Sequence, residues 1–305
     1  MTYVFQAQKS DIPQITDFYQ GFEMIPSSEY IMAVYKQENK VITIFNSLKV
    51  TLQGNDALED YLMWSEILGF ETKSTEEIQK KDEQIKVSVI QKSIIGSDEV
   101  GTGDFYGPVV VCAAYIGKNE ISKLSMYPIR DSKKLTDELI LSIGENLMKD
   151  VTHQVLVLPN PKYNNLTKEG YNLNKIKAYL HNHAIRKLIL KVKDEIDLVV
   201  IDEFCSKENY FDYLKDIESY KNITFLQKAE DQVLSVGVAS IIARYTFLKE
   251  MDKLSLDLGI TLPKGSGIAS DLIGKRIALE KGFDIFNEIA KTHFKNMEKI
   301  KSLMK

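Results

Sequence analysis

A chain of 305 residues, 44% hydrophobic and 27% charged, has the make-up of a globular protein long enough for two domains. No apolar run reaches the roughly eighteen residues that cross a membrane. The net charge of −4 argues mildly against a nucleic-acid partner without excluding one, because binding follows local patches.

The charge is unevenly spread. Residues 1–90 carry 8 Lys and Arg against 14 Asp and Glu, and the remainder 31 against 29, which marks a first boundary. The opening segment MTYVFQAQKSDIPQ has no basic stretch followed by an apolar one, so no secretory signal is read there. Residues 10–21 read as a helix with Ser10 as cap and Pro13 in its first turn. Three short β-rich runs, 30–36, 41–47 and 48–54, read as antiparallel strands. Residues 56–69 have helical apolar spacing with Gly69 as the stop. The charged stretch 71–84 shows no apolar face and reads as a solvated linker. The first ninety residues thus describe a small α+β domain.

From residue 86 the pattern changes. The near-continuous apolar runs KVSVIQKSIIGSDEV and GPVVVCAAYIG suit strands covered on both faces. Residues 136–150 read as a helix capped by Thr136, 152–159 as a strand, 172–195 as a long helix and 196–204 as another buried strand. A helix is expected from near Glu230 through Leu254, and the tail after Gly265 is helical and lysine-rich. Strands alternating with helices imply a layered α/β domain with a mixed or parallel sheet. Cys112 and Cys205 have no paired spacing and read as buried free thiols of a reducing compartment.

Several acids share one placement, at the end of an apolar segment or the start of a helix. Asp98 and Glu99 follow Ile94-Ile95-Gly96, Asp202 ends a strand, and Glu230 with Asp231 opens a helix. Singly, each reads as a turn, loop or helix-dipole residue. Jointly they would meet at a sheet edge, where such a cluster needs a cation. An oxygen-only set favours Mg²⁺ or Mn²⁺ over zinc. The adjoining glycines, Gly101, Gly103 and Gly107, are one residue off the dinucleotide fingerprint, and no lysine of a phosphate-binding loop follows. Small residues there would instead let the backbone approach the phosphates or sugars of a polymer. Of the four histidines, His181 and His183 lie two apart on a helix and cannot share a face, so structural or surface roles are expected. His153 and His293 carry no signal.

The segments GSDEVGTGDFYGPVVVCA, RDSKKLT, YNNL with NLNKIKAYLHNHAI, VVIDEF, KAED and ASIIARYTFL, in that order over 94–265, resemble bacterial ribonuclease HIII, a type 2 ribonuclease H. The resemblance implies a ribonuclease H-like layered α/β catalytic domain with a mixed central sheet over 86–305. A linker at 71–85 and a TATA-binding-protein-like α+β substrate-binding domain at 1–70 would precede it. Ribonuclease HII carries Gly-Arg-Gly where Gly101-Thr102-Gly103 stands here. The family's metal-binding and catalytic quartet maps onto Asp98, Glu99, Asp202 and Glu230, with Asp231 as the alternative fourth acid.

The implied activity is endonucleolytic hydrolysis of the RNA strand of an RNA–DNA hybrid, leaving 5′-phosphate and 3′-hydroxyl ends. Two Mg²⁺ or Mn²⁺ ions, expected about 3.5–4 Å apart, would flank the scissile phosphate. By the same resemblance Gly101, Thr102 and Gly103 would read the 2′-hydroxyl, Ser132, Lys133 and Lys134 would lie near phosphates, and Ser240 would contact the site. Arg244 would either join it or brace its helix. Tyr30, Tyr35, Lys36, Lys40 and Lys49 are candidates for a hybrid-binding sheet face. The expected partner is the hybrid itself, with no membrane and no obligate protein, for a cytoplasmic monomer. Rival readings are incision at single embedded ribonucleotides as in ribonuclease HII, a hybrid clamp that does not cut, and a phosphotransferase.

Overall fold

The computed structural model describes residues 2–26, 28–37, 39–54, 56–70, 92–129 and 135–304. The linker expected at 71–85, the start of the apolar run from 86, and Ser132, Lys133 and Lys134 lie outside the described residues. The chain divides into two compact units, Met1–Asp82 and Glu83–Lys305.

Among its described residues, the first unit is a five-stranded antiparallel sheet with two helices. Its strands are β1 (Thr2–Gln6), β2 (Glu23–Met24), β3 (Ile31–Gln37), β4 (Lys40–Phe45) and β5 (Lys49–Gly54), in the order β1-β5-β4-β3-β2. Side chains alternate across the pleat. Phe5, Tyr35, Ile42, Ile44, Val50 and Leu52 pack under the helices Ile12–Phe18 and Ala57–Leu68. The cross-strand row Met24, Val34, Thr43, Thr51 and Val4 lies on the open face. Gly69 closes the second helix in the left-handed conformation, φ 69°, as its sequence suggested. Helix Ile12–Phe18 takes Asp11, not Ser10, at its N-terminal cap position, and the Ser10 hydroxyl donates to Asp11 Oδ1 at 3.1 Å.

Two of the proposed hybrid-face residues lie on the covered side instead. Tyr35 is buried in the core, and Lys40 Nζ donates to Asp60 Oδ1 at 2.6 Å. Asp60, itself buried, also accepts from Tyr19 Oη at 2.6 Å, and Trp64 Nε1 donates to that hydroxyl at 2.9 Å. A buried carboxylate needs these partners, and that draws Lys40 inward. Lys36 and Lys49 stay exposed on the open face.

The second unit has a mixed sheet of β6 (Ile94–Val100), β7 (Val109–Ile116), β8 (His153–Leu158), β9 (Leu198–Asp202) and β10 (Thr224–Leu226). Its order is β10-β9-β6-β7-β8, with β6, β9 and β10 mutually parallel and the other pairings antiparallel. Helices cover both faces, which explains the unbroken apolar run of β7. Val110, Cys112 and Ala114 pack toward helix Leu234–Leu258, whereas Val111, Ala113 and Tyr115 pack toward helix Leu173–Ile189. Thr136 caps helix Asp137–Asp150 by accepting from the Leu139 N–H, as expected. Helix Leu234–Leu258 lies against β6 so closely that a Cβ at Gly96 would fall 2.3 Å from Val236 N and 2.4 Å from Ser235 C.

Three boundaries differ from the expectation. Strand β6 continues to Val100, so Asp98 and Glu99 lie within it rather than beyond its end. The 172–195 helix stops at Ile189. The helix expected from Glu230 is two, Ala229–Gln232 and Leu234–Leu258, because buried, β-branched Val233 is extended, φ −122° and ψ 112°. Cys112 is buried, but Cys205 is only half-buried, and both are free thiols.

Candidate active site

Parallel pairing of β6 with β9, in register through Ser97 and Ile201, brings Asp98 beside Asp202 at the next step. Asp98 shares the side of Ile94 and Gly96, facing helix Leu234–Leu258, and accepts a hydrogen bond from Ser240. Burial first, then the Glu99 charge, push its carboxyl up to about 7; Asp202 adds to the rise, while Ser240 and the Glu99 backbone N–H oppose it. That N–H donates to Asp98 Oδ1 at 2.7 Å. Ionising Asp98 alone in this surround costs a few kcal/mol more than in water.

Asp202 Oδ1 accepts from the Ala229 backbone N–H at 2.8 Å, which ties the short helix Ala229–Gln232 to the end of β9. The residue after Ala229, Glu230, is 3% exposed, whereas Asp231 is exposed. Of the two alternatives for a fourth acid, only Glu230 is buried.

Glu99 points the other way. With Ile95 and Ser97 it faces helix Leu173–Ile189, where His181 Nε2–H donates to Oε2 at 2.9 Å and Lys177 Nζ pairs with Oε1. Burial alone would raise this carboxyl, but His181 and Lys177 outweigh it and hold Glu99 below its ordinary value. His181 is fully buried, and its Nδ1 lies 2.7 Å from Ser97 Oγ. Lys177 also lies 4.1 Å over the Phe204 ring. The sequence reading missed both partners. The available signal was their i, i+4 spacing, which puts Lys177 and His181 on the helix face that also carries Ala178 and Ile185. Among the described residues, no three or more His, Cys, Asp or Glu side chains are gathered into a group that could hold a metal ion as they stand.

The glycine loop has a divided logic. Gly101 has φ +88°, and a Cβ there would meet Pro108 O at 2.2 Å, so its missing side chain answers to internal packing. Gly103 is exposed with nothing within 4 Å of a Cβ, and Thr102 between them is half-buried. Only Gly103 leaves open room for an approaching polymer. Arg244 Nη2 donates to Asp137 Oδ1 at 2.7 Å, and Lys264 pairs with the other oxygen, so Arg244 braces the start of helix Asp137–Asp150.

A family model described as Ribonuclease HII matches residues 95–297, and one described as Domain of unknown function (DUF3378) matches residues 2–80. The chain is 37% identical over 276 residues to Ribonuclease HIII of Staphylococcus aureus (strain Newman), covering 88% of each chain. It is 38% identical over 275 residues to Ribonuclease HIII of Geobacillus sp. (strain WCH70), covering 89% of this chain and 88% of the relative. The solved structure of Bst-RNase HIII in complex with Mn²⁺ matches at 36% identity and a TM-score of 0.73, covering 100% of this chain and 99% of that one. Ribonuclease H2 from Pyrococcus horikoshii OT3, at 21% identity and a TM-score of 0.57 over 69% of this chain and 98% of that one, shares the fold. Matching relatives along both units, this chain belongs to the ribonuclease HIII family.

Proposed function

We propose that the chain cuts the RNA strand of RNA–DNA hybrids endonucleolytically, using Mg²⁺ or Mn²⁺ and leaving 5′-phosphate and 3′-hydroxyl ends. Family membership supports the reaction class. The observation that carries it to these residues is the Asp98 carboxyl, pushed up to about 7 by burial and by the charges of Glu99 and Asp202. Acids crowded in this way repel one another until a cation joins them, and an all-oxygen set suits a hard divalent ion. The Mn²⁺ complex of Bst-RNase HIII accords with that donor set.

Asp98, Glu99, Asp202 and Glu230 would hold the ions. Ions held by these carboxylates would supply activation of water and neutralisation of charge on the scissile phosphate. The chain's own residues do the arranging. Ser240 orients Asp98, the Ala229 N–H orients Asp202, and Lys177 with His181 keeps Glu99 ionised. Gly101, Thr102 and Gly103 would present backbone groups to the 2′-hydroxyl, with Gly103 leaving room for the approach. Ser132, Lys133 and Lys134 would serve the phosphates.

Residues 1–70 would hold the hybrid on the open sheet face, where Lys36 and Lys49 are exposed, and residues 86–305 would carry the chemistry. All four acids belong to one chain, which supports a working monomer. The free thiols Cys112 and Cys205 suit the reducing cytoplasm. The test compares wild type and Asp98→Asn on a labelled hybrid with Mg²⁺, Mn²⁺ or EDTA. Metal-dependent RNA cutting, lost in a variant that still binds, is the expected result. Binding without cutting by the wild type under every condition would leave only a hybrid clamp. A duplex with one embedded ribonucleotide should be cut poorly and a longer ribonucleotide tract well, which separates the chain from ribonuclease HII behaviour.

A further inference from the structure

Lys291 is a lysine in the chain's interior. It is 0% exposed, though it sits in a lysine-rich tail whose other cations read as solvated. Its Nζ donates to the backbone carbonyls of Asp104 at 2.8 Å and Gly107 at 2.6 Å. The backbone repeats the attachment: Lys291 N–H donates to Phe105 O at 2.9 Å, Gly107 N–H donates to Ile289 O at 3.0 Å, and Tyr106 bridges Ala290. The segment 289–291 therefore lies along 104–107 as a strap, bridged at Ala290 just beyond helix Phe286–Ile289. The carbonyls of residues 104 and 107 belong to no strand ladder, and buried carbonyls without donors are costly.

The strap is anchored from behind. Asn164, fully buried on helix Asn160–Lys168, donates through Nδ2 to Asn287 O at 3.2 Å and Ala290 O at 2.9 Å, and its Oδ1 accepts from Thr292 N–H at 3.0 Å. Every hydrogen-bonding group of that side chain is spent on residues flanking Lys291. On the loop's other flank, Gly265 N–H donates to Asp104 Oδ1 at 2.5 Å, and Phe105 N–H donates to Gly265 O at 3.0 Å.

We infer that Lys291 is a positioning residue, which fixes the backbone of the 101–107 loop so that its exposed turn at Thr102 and Gly103 meets the hybrid in one conformation. The inference rests on the proposal that this turn reads substrate. Burial lowers the Lys291 ammonium to about 7, with the Asp104 charge opposing, yet an amine in either form has the two hydrogens that two carbonyls need. A fixed loop lowers the ordering cost of binding, so its loss falls on substrate affinity and not on the metal-dependent step.

The test uses the full chain with Lys291→Met, which keeps the stem and removes the donors. The expected result is a KM for hybrid raised about tenfold, with kcat and the Mg²⁺ half-saturation within about threefold of wild type. Unchanged KM in a variant that melts cooperatively would overturn the inference. Where Lys291→Met does not fold, Asn164→Asp decides, because it keeps the acceptor for Thr292 and loses both donors to the strap. Its KM should rise in the same sense, and an unchanged KM overturns the inference. Gly103→Val tells the two layers apart, since a Cβ added there has no heavy atom within 4 Å. Raised KM in Gly103→Val alone leaves the substrate-reading turn standing without Lys291. No effect in any variant removes the turn's role, and the inference with it.

Discussion

His181 Nε2 lies 2.9 Å from Glu99 Oε2, and the same ring reaches Ser97 through Nδ1 at 2.7 Å. The imidazole thus ties helix Leu173–Ile189 to two residues of β6 on one side of the sheet. Glu99 has no proton to give once ionised, so the Nε2 hydrogen is directed at the carboxylate. An acid held in this way is fixed in charge and direction by the fold itself.

Replacing that support should weaken metal use. His181→Ala is expected to lower kcat/KM by roughly 10- to 100-fold and raise the Mg²⁺ half-saturation, the usual cost of losing a partner that orients a ligand. Steady-state kinetics across a Mg²⁺ series measures both. An unaltered metal dependence would mean that Glu99 does not act through this contact.

Exposure separates the two candidates for a fourth acid. Glu230 is 3% exposed and Asp231 is at the surface. Glu230→Gln should reduce kcat at least about 100-fold, whereas Asp231→Asn should stay within about twofold. The opposite ranking in single-turnover cleavage would move the assignment to Asp231.

Asp98 makes the metal-free protein sensitive to pH. Its carboxyl sits at about 7 against an ordinary value of 3.8, with burial the largest cause. Between those values the folded chain keeps a proton that the unfolded chain has lost, so stability falls as pH rises across that window. In EDTA, the wild type should lose on the order of 2 kcal/mol there relative to Asp98→Asn. Urea unfolding at a series of pH values measures the difference, and parallel curves for the two proteins would count against the raised carboxyl.

At Gly96 the sheet and helix Leu234–Leu258 nearly touch. The atoms that an added Cβ would meet include Val236 N and Ser235 C, which are backbone and cannot swing aside. Gly96→Ala should therefore cost about 3 kcal/mol, read as a lowered midpoint in denaturant unfolding. A midpoint equal to wild type would show that the helix can back away freely.

The open face of the first unit carries its own expectation. Exchanging Lys36 and Lys49 together for Glu should weaken hybrid binding about tenfold or more and steepen with falling salt. Lys40, committed to Asp60 beneath the sheet, serves as the contrast. Equal affinity for the double variant, by titration at low salt, would place hybrid binding elsewhere.

Much of this architecture was legible because it is written in short-range terms. Thr136 ahead of Asp137 and Glu138 announces a helix start, Gly69 a helix stop, and the run 109–116 a strand buried on both faces. Strand β1 was passed over because its partner, β5, lies more than forty residues away. The division of Asp98 from Glu99 depended on where β6 ends, and the apolar run faded before the strand did. Lys177 and Lys291 escaped notice, and His181 was given only a structural or surface role, for one reason: a polar residue on a helix or in a basic tail has the signature of solvent until the opposing surface is known. Ser132, Lys133 and Lys134 stay with the resemblance that named them.

Adjacent residues of one strand here answer to separate layers of the protein. Asp98 takes its surroundings from the helix that carries Ser240, and Glu99 takes its own from the helix that carries Lys177 and His181. The two helices share no side chain at these acids. Change in the layer of Ser240 therefore acts on Asp98 directly, whereas change in the layer of Lys177 and His181 acts on Glu99 and reaches Asp98 through the Glu99 charge. Evolution and engineering alike are given two points of entry to one pair of acids, linked by the Glu99 charge.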